Sequence, residues 1–307
     1  MSTNSQNSAS ESKEFELFAI DMAQNDKSQI VNQLMSQMKN VGFCLITNVE
    51  GHDETKLLAA LKAFHGLPIE DKMRMAPKHF NPDNGNMFHG YFPFIENDIS
   101  HKEFLDCGRP NFADISDWEK NGCPLYEENP WTEKFQYGGE LEWIKQTFDD
   151  QFYLMHKLAS TLISCLAIGL GKKENYFDPW FKHECSSTMR GIHYSPRDQN
   201  SVCELNEQER KLVTPEHSDS GFITLLSTFM FSGLEVEING EYQPIKPVEN
   251  AIVVNIGETL EVLSGNQIKA TKHRVMDIGI ERFSSPFFFD PKFSARVPTD
   301  CLVSSRK

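Results

Sequence analysis

The sequence predicts a mainly β fold with flanking α-helices, and three observations predict it. After Trp180 the chain becomes a series of short β-type runs divided by turn signals such as Asn239-Gly240 and Ser264-Gly265-Asn266, the spacing of a sandwich or closed barrel. Before Trp180 lies one long amphipathic helical stretch. The 307 residues are 39% hydrophobic and include 23 Phe, enough apolar surface to offset the entropy of ordering a large core. That length fits one or two domains, and β-rich barrels often use it for one.

In chain order, residues 1–14 are rich in Ser, Asn and Glu and are expected to form a flexible tail. The remainder, 15–307, reads as a single domain: a mixed α/β part over 15–180 with lid-like loops, then a β core over 181–300. Phe15 to Met22 has the look of a short strand. Lys27 to Lys39 spaces Ile30, Leu34 and Met38 four apart, which predicts a helix, and the β-branched run Val41 to Asn48 predicts a buried strand. A second helix is expected over Asp53 to His65, stopped by Gly66-Leu67-Pro68. Ala76 to Pro130 is dense in Pro, Gly, Asn and aromatics and reads as loops with short strands, a region suited to substrate contact. From Leu141 to Ile168 the residues Ile144, Phe148, Phe152, Met155, Ala159, Leu162 and Leu166 keep one helical face apolar, as a core-packing helix requires. The expected later strands are Thr188 to Tyr194, Gly221 to Ser227, Leu234 to Ile238, Ala251 to Ile256, Lys272 to Ile278 and Arg282 to Phe289.

Composition narrows the function. The formal net charge is −14 and no basic stripe is present, which argues against a nucleic-acid partner, because such affinity comes from clustered Lys and Arg. The most apolar stretch, Ser160 to Leu170, falls short of a bilayer span, so no membrane partner is expected. The N-terminus lacks the charged start and apolar centre of a secretory signal, so a cytoplasmic location is expected. Seven scattered cysteines without C-x-x-C spacing fit free thiols in a reducing compartment better than a disulfide framework or a cysteine zinc site.

The chemistry concentrates in His217-Ser218-Asp219, placed at the entry to the Gly221–Ser227 strand. Residues two apart in extended backbone share a face, so imidazole and carboxylate would project together. His273 follows 56 positions later inside another expected strand. Two His and one carboxylate leave open positions on a metal, the donor set of non-haem Fe(II) oxygenases. By itself an H-x-D pair is weak, since a buried His is often a core residue. Arg282 and Ser284 strengthen it: they share a strand face, and a guanidinium beside a hydroxyl makes a charge-assisted clamp for a carboxylate. Together, metal and clamp suit a chelating keto acid.

The segments HSDSGFITLLS, GLEVEINGEYQPIKP and VVNIGETLEVLSGNQIKATKHRVMDIGIERFSSPFFFDPK resemble the C-terminal half of the Fe(II)/2-oxoglutarate-dependent dioxygenases, in the subgroup that includes isopenicillin N synthase. AIDM, VGFCLITN, LPIEDKMRM, GYFPF and KEFLDCGRP are similar to that subgroup's N-terminal runs, so the likeness spans roughly residues 15 to 298. It implies a double-stranded β-helix, or jelly roll, with helices packed outside and one catalytic domain. It implies that His217, Asp219 and His273 bind Fe(II), that Arg282 and Ser284 bind the distal carboxylate of 2-oxoglutarate, and that Tyr194 assists that co-substrate. Ser195 departs from the family's usual proline, Gly257-Glu258 from Gly-Asp, and Ser264-Gly265-Asn266 from Ser-Asn-Gly. The resemblance also implies O2 as the second co-substrate, with ascorbate as an optional reductant.

The chemistry implied is oxidation of an unactivated C–H bond coupled to decarboxylation of 2-oxoglutarate, ending in hydroxylation, desaturation or ring closure of the kainoid-synthase type. Arg190, Ile192 and Tyr194 alternate toward one cavity, which makes Arg190 a candidate contact for a substrate carboxylate and the substrate a small, amino-acid-derived acid; the alternative is an Arg paired with a neighbouring acid. Phe88, Tyr91, Phe92 and Phe104 are candidates for the cavity mouth, and alternation turns Phe288 inward beside Arg282 and Ser284. Two other readings stay open: a related Fe(II) oxidase that does not use 2-oxoglutarate, and a non-catalytic metabolite-binding protein on the same scaffold. Oligomeric state is not readable from these residues.

Overall fold

Among the described residues thirteen strands form two sheets, and alternation along the strands decides what lies between them. In the computed structural model the described residues are 15–24, 26–113, 115, 125–182, 186–197 and 202–296, so the tail expected over 1–14 lies outside them. The strands are β1 (Ala19–Asp21), β2 (Phe43–Thr47), β3 (Gly90–Phe92), β4 (Lys102–Cys107), β5 (Thr188–Tyr194), β6 (Glu204–Leu205), β7 (Lys211–His217), β8 (Ile223–Ser227), β9 (Leu234–Ile238), β10 (Glu241–Pro244), β11 (Ile252–Ile256), β12 (His273–Met276) and β13 (Arg282–Phe289). The larger sheet runs β1-β2-β11-β8-β13-β5-β4-β3 and the smaller β10-β9-β12-β7-β6. The fold is therefore mostly β with a few helices.

Helices cover the outer face of the larger sheet: α1 (Lys27–Asn40), α2 (Glu54–His65), α3 (Ile69–Met73) and α4 (Glu142–Gly169); two short ones, α5 (Asp178–Phe181) and α6 (Glu258–Leu263), follow. Asp26 and Asp53 cap α1 and α2 by accepting from amides of the first turn. In α4 all seven residues of the expected stripe are buried, against the outward side chains Ile223, Leu225, Phe287 and Phe289 of the sheet. By length and composition α4 could cross a membrane, but half of its most apolar window is buried in the protein, the mark of a core helix.

Alternate residues of the larger sheet sort cleanly. Cys44, Ile46, Val254, Phe283 and Phe287 join the main core under the helices, while their neighbours Phe43, Leu45 and Val253 face the smaller sheet. Between the sheets the apolar packing is split into one cluster around Leu45, Val236 and Val253 and another around Ile192, Tyr194 and Val213. The polar cavity lies in the gap. Cys44, Cys107 and Cys165 are buried free thiols and Cys203 is a half-buried one; Cys123, Cys185 and Cys301 lie outside the described residues.

The expected strands from Val41 onward agree within two residues except around His217, whereas Phe15–Met22 is a strand only over Ala19–Asp21, and β6 and β10 were not expected. His217 ends β7, a strand of the smaller sheet absent from the sequence expectations, rather than opening β8. Pro215 disguises β7, since proline lacks a ladder donor; it is tolerated because the β7–β12 pairing is irregular next to it. Phe152 is 1% exposed and meets Phe287 edge-on at 5.2 Å. Phe152→Ala should lower the unfolding free energy by about 3–5 kcal/mol, read as a lower urea midpoint at unchanged m-value; an unchanged midpoint would contradict α4's packing role.

Candidate metal centre

Antiparallel pairing sets His217 of β7 directly opposite His273 of β12, with ring centroids 4.2 Å apart. Asp219 occupies the turn between β7 and β8. Its Oδ1 lies 3.8 Å from the Nε2 of each histidine, so three donor atoms converge on one point.

Each ligand atom is aimed by a second contact. His217 Nδ1 is 2.9 Å from the Pro215 carbonyl and His273 Nδ1 3.2 Å from that of Thr271. A carbonyl only accepts, so Nδ1 carries the proton in both rings and both Nε2 lone pairs face the centre. Burial, against the pull of Asp219, lowers the His273 pKa and keeps that ring neutral, the form that ligates. Asp219 Oδ2 accepts from Thr224 Oγ1 at 2.5 Å and Asn255 Nδ2 at 2.7 Å, which leaves Oδ1 for the centre. The turn itself is gripped from below: amides of Glu258 and Thr259 donate to the carbonyls of Asp219 and Ser220, and a Cβ on Gly257 would stand 2.1 Å from the Gly221 carbonyl oxygen. Two imidazole Nε2 atoms and one monodentate carboxylate with open positions fit a ferrous ion.

On one side of this centre an inner cavity of about 150 Å³ is lined by Lys102, Tyr194, Arg282, Ser284, Pro286 and Phe288 among others. The alternation 282, 284, 286, 288 puts these β13 residues on one face. Arg282 is 5% exposed and its guanidinium lies 3.8 Å over the Tyr194 ring, with Nη2 lacking a partner. Burial pushes the Arg282 pKa down. For Tyr194 burial acts upward, but the charges of Arg282 and Lys102 and the Ser284 hydroxyl outweigh it and lower its pKa. A buried cation with an open donor calls for an anion. Lys102 was not anticipated; it stands opposite Tyr194 in the β4–β5 ladder, and only that register reveals it.

An adjoining outer cavity of about 510 Å³ shares Arg190, Asp219, Thr224 and Phe288 with the inner one, which all three donors line. Phe88 and Phe92 line it, as do His89 and Asp106, which sequence reasoning missed. Glu127 shapes its rim by accepting from the successive amides of Met87, Phe88 and His89. Arg190 Nε and Nη2 bond Asp106 at 2.7 and 2.8 Å, and its guanidinium lies 4.1 Å from the Phe104 ring. The acidic partner considered for Arg190 is thus present, and among the described residues Nη1 makes no hydrogen bond. Phe104 supports this arrangement, stacked on Phe92 at 4.5 Å. Tyr91 is a correction: it is fully buried in the main core with its hydroxyl on Glu103, because the β3–β4 register turns it away from the cavity.

Residues 185–291 match the sequence profile of the 2OG-Fe(II) oxygenase superfamily, and residues 18–134 that of the non-haem dioxygenase in morphine synthesis N-terminal region. The chain is 25% identical to isopenicillin N synthase of Amycolatopsis lactamdurans over 86% of this chain and 79% of that protein. It is 28% identical to the 2-oxoglutarate-Fe(II) type oxidoreductase hxnY of Emericella nidulans over 86% and 74%. Among solved structures it resembles a 2OG-Fe(II) oxygenase family protein of Caulobacter crescentus, with TM-score 0.73 at 23% identity over 94% of this chain and 91% of that one. It likewise resembles a full-length Neurospora crassa protein in complex with alpha-KG, with TM-score 0.72 at 23% identity over 91% and 86%.

Asn255→Ala should free the Asp219 carboxylate to rotate and weaken divalent-metal binding about 10–100-fold, measured by equilibrium titration of the metal-free protein; unaltered affinity would argue against the converging donors as the metal site.

Proposed function

The chain belongs to the 2OG-Fe(II) oxygenase superfamily, and from that premise we propose that it oxidises an unactivated C–H bond of a small, carboxylate-bearing, amino-acid-derived substrate, by hydroxylation, desaturation or oxidative ring closure. The family requires Fe(II), 2-oxoglutarate and O2. His217, Asp219 and His273 would hold the iron, which when bound couples oxidative decarboxylation of 2-oxoglutarate to substrate oxidation.

The observation that carries the reading is the convergence of three ligand atoms on the wall of the inner cavity, which adjoins the outer one at Asp219. In the inner one, Arg282 offers a desolvated guanidinium with an open donor, Ser284 a hydroxyl and Tyr194 a phenol, a set that holds and orients the distal carboxylate of 2-oxoglutarate. In the outer one, Asp106 fixes the Nε edge of Arg190 and leaves its Nη1 end to take a substrate carboxylate. Phe88, Phe92 and Phe288 exclude water from an apolar body lying between that end and the iron ligands. Such anchoring at two ends sets which C–H bond is presented, and so the outcome of the reaction.

Three variants test the assignment. Asp219→Ala removes the anionic iron ligand and should abolish turnover and iron retention together; substantial residual activity would refute it. Arg282→Ala removes a charged hydrogen-bonding partner worth about 1.5–3 kcal/mol, so the KM for 2-oxoglutarate should rise about 10–150-fold; an unchanged KM contradicts the clamp. Arg190→Ala should depress kcat/KM for a carboxylate substrate and leave its amide analogue nearly untouched, and equal losses for both would exclude carboxylate recognition there. Succinate formed in step with product supports use of 2-oxoglutarate; product without succinate would favour the oxidase alternative.

A further inference from the structure

Back to back with the co-substrate clamp, on the helix-covered face of the same sheet, His65, Glu103 and His193 gather within ligand distance of one another. The donor atoms of Glu103 and His193 are already committed. Glu103 Oε2 accepts from Lys72 Nζ at 2.8 Å and from the Tyr91 hydroxyl, and Oε1 lies 2.8 Å from His193 Nδ1. His193 Nε2 in turn lies 2.9 Å from Glu281 Oε1. Carboxylates only accept, so both ring nitrogens of His193 carry protons and the ring is an imidazolium joining two acids.

We propose that this imidazolium is a positioning residue for the clamp: by tying Glu103 of β4 to Glu281 at the head of β13, His193 fixes the strand segment that aims Arg282 into the inner cavity. The proposal rests on Arg282 being the anchor of 2-oxoglutarate. That segment has few other constraints. β13 is paired with β5 from Arg282 onward but with β8 only from Ser285, so residues 282–284 have a ladder on one edge alone. Arg282 is attracted by Asp277, but that carboxylate is ion-paired with Arg197, 2.9 Å from its Nε. The aim of Arg282 therefore depends on its backbone and the Tyr194 ring. His193 reinforces the backbone twice, through Glu281 and by stacking on Phe283 at 4.8 Å, between Arg282 and Ser284.

The groups facing His193 are Glu103 from β4, Glu281 from the β13 head and His65 from α2, with Lys72 of α3 and Tyr91 of β3 acting through Glu103. Burial holds His65 below its ordinary pKa. Burial would raise Glu103, but the hydrogen bonds from His193, His65, Lys72 and Tyr91 outweigh it and hold that carboxyl well below the usual range. For His193 burial acts downward, and the bonds to the two glutamates prevail and raise its pKa above 6.5. A histidine raised in this way supports the native arrangement fully below its unfolded value and loses that support as pH climbs through the folded value. Past that point the ring keeps one N–H, and Glu281, whose side chain is 58% exposed, is the partner free to leave.

The test is the dissociation constant of 2-oxoglutarate for the anaerobic Fe(II)-loaded enzyme, measured by calorimetry across neutral to alkaline pH. In the wild type it should rise with pH by about 2–10-fold, the worth of one hydrogen bond, with kcat at saturating 2-oxoglutarate little changed. Glu281→Gln removes an exposed acid without threatening the fold and gives the ring a partner that can also donate, so its dissociation constant should be flat with pH. His193→Gln should show the weaker binding at every pH, and Arg282→Ala should bind weakly throughout. A Glu281→Gln profile that still tracks the wild type, with Arg282→Ala weakened, overturns the positioning role alone; tight binding by Arg282→Ala overturns the clamp itself and the proposal with it.

Discussion

A β-strand shows each side chain to one face only, and the larger sheet uses that constraint to keep two incompatible environments a backbone's thickness apart. Along β13 the residues Phe283, Phe287 and Phe289 enter the main core, while Arg282, Ser284, Pro286 and Phe288 enter the cavity. β4, β5, β8 and β11 divide in step, as the pairing registers demand. A slip of one residue in any of these strands would drive a guanidinium or a carboxamide under α4 and a phenyl ring against the metal donors. The same rigidity that holds the core thus sets the positions of the site.

What the sheet holds in the cavity is electrostatically incomplete. Asp219 is supported by neutral donors from Thr224 and Asn255, and its second oxygen faces two lone pairs. Arg282 is desolvated with a donor unmet, and Lys102 adds a further positive charge beside Tyr194. Among the described residues other buried charges are paired, as Arg274 is between Glu207 and Glu235 and Lys72 is on Glu103. Asp219, Arg282 and Lys102 line one cavity, and they ask for a cation at one end and an anion at the other.

Much of this was legible in the residues. The stripe of α4, the Arg282–Ser284 alternation and the inward turn of Phe288 follow from local periodicity, which a single segment records in full. The rest needed partners. β7 is hidden by Pro215 and by polar residues at its end, so His217 looked like the start of β8 when it closes a strand of the opposite sheet. Asp106 as the partner of Arg190, Lys102 beside Tyr194 and the burial of Tyr91 are consequences of register between strands far apart in the chain. Periodicity assigns a residue to a face; only pairing says what it meets there.

Because the family chemistry and the proposed clamp both presuppose an ion at one point, the most direct test is to find where iron sits. Anomalous diffraction at the iron edge from crystals loaded anaerobically with Fe(II) should give one peak enclosed by His217 Nε2, His273 Nε2 and Asp219 Oδ1. A peak among His65, Glu103 and His193 instead, or none at the first position in fully loaded protein, would contradict the account.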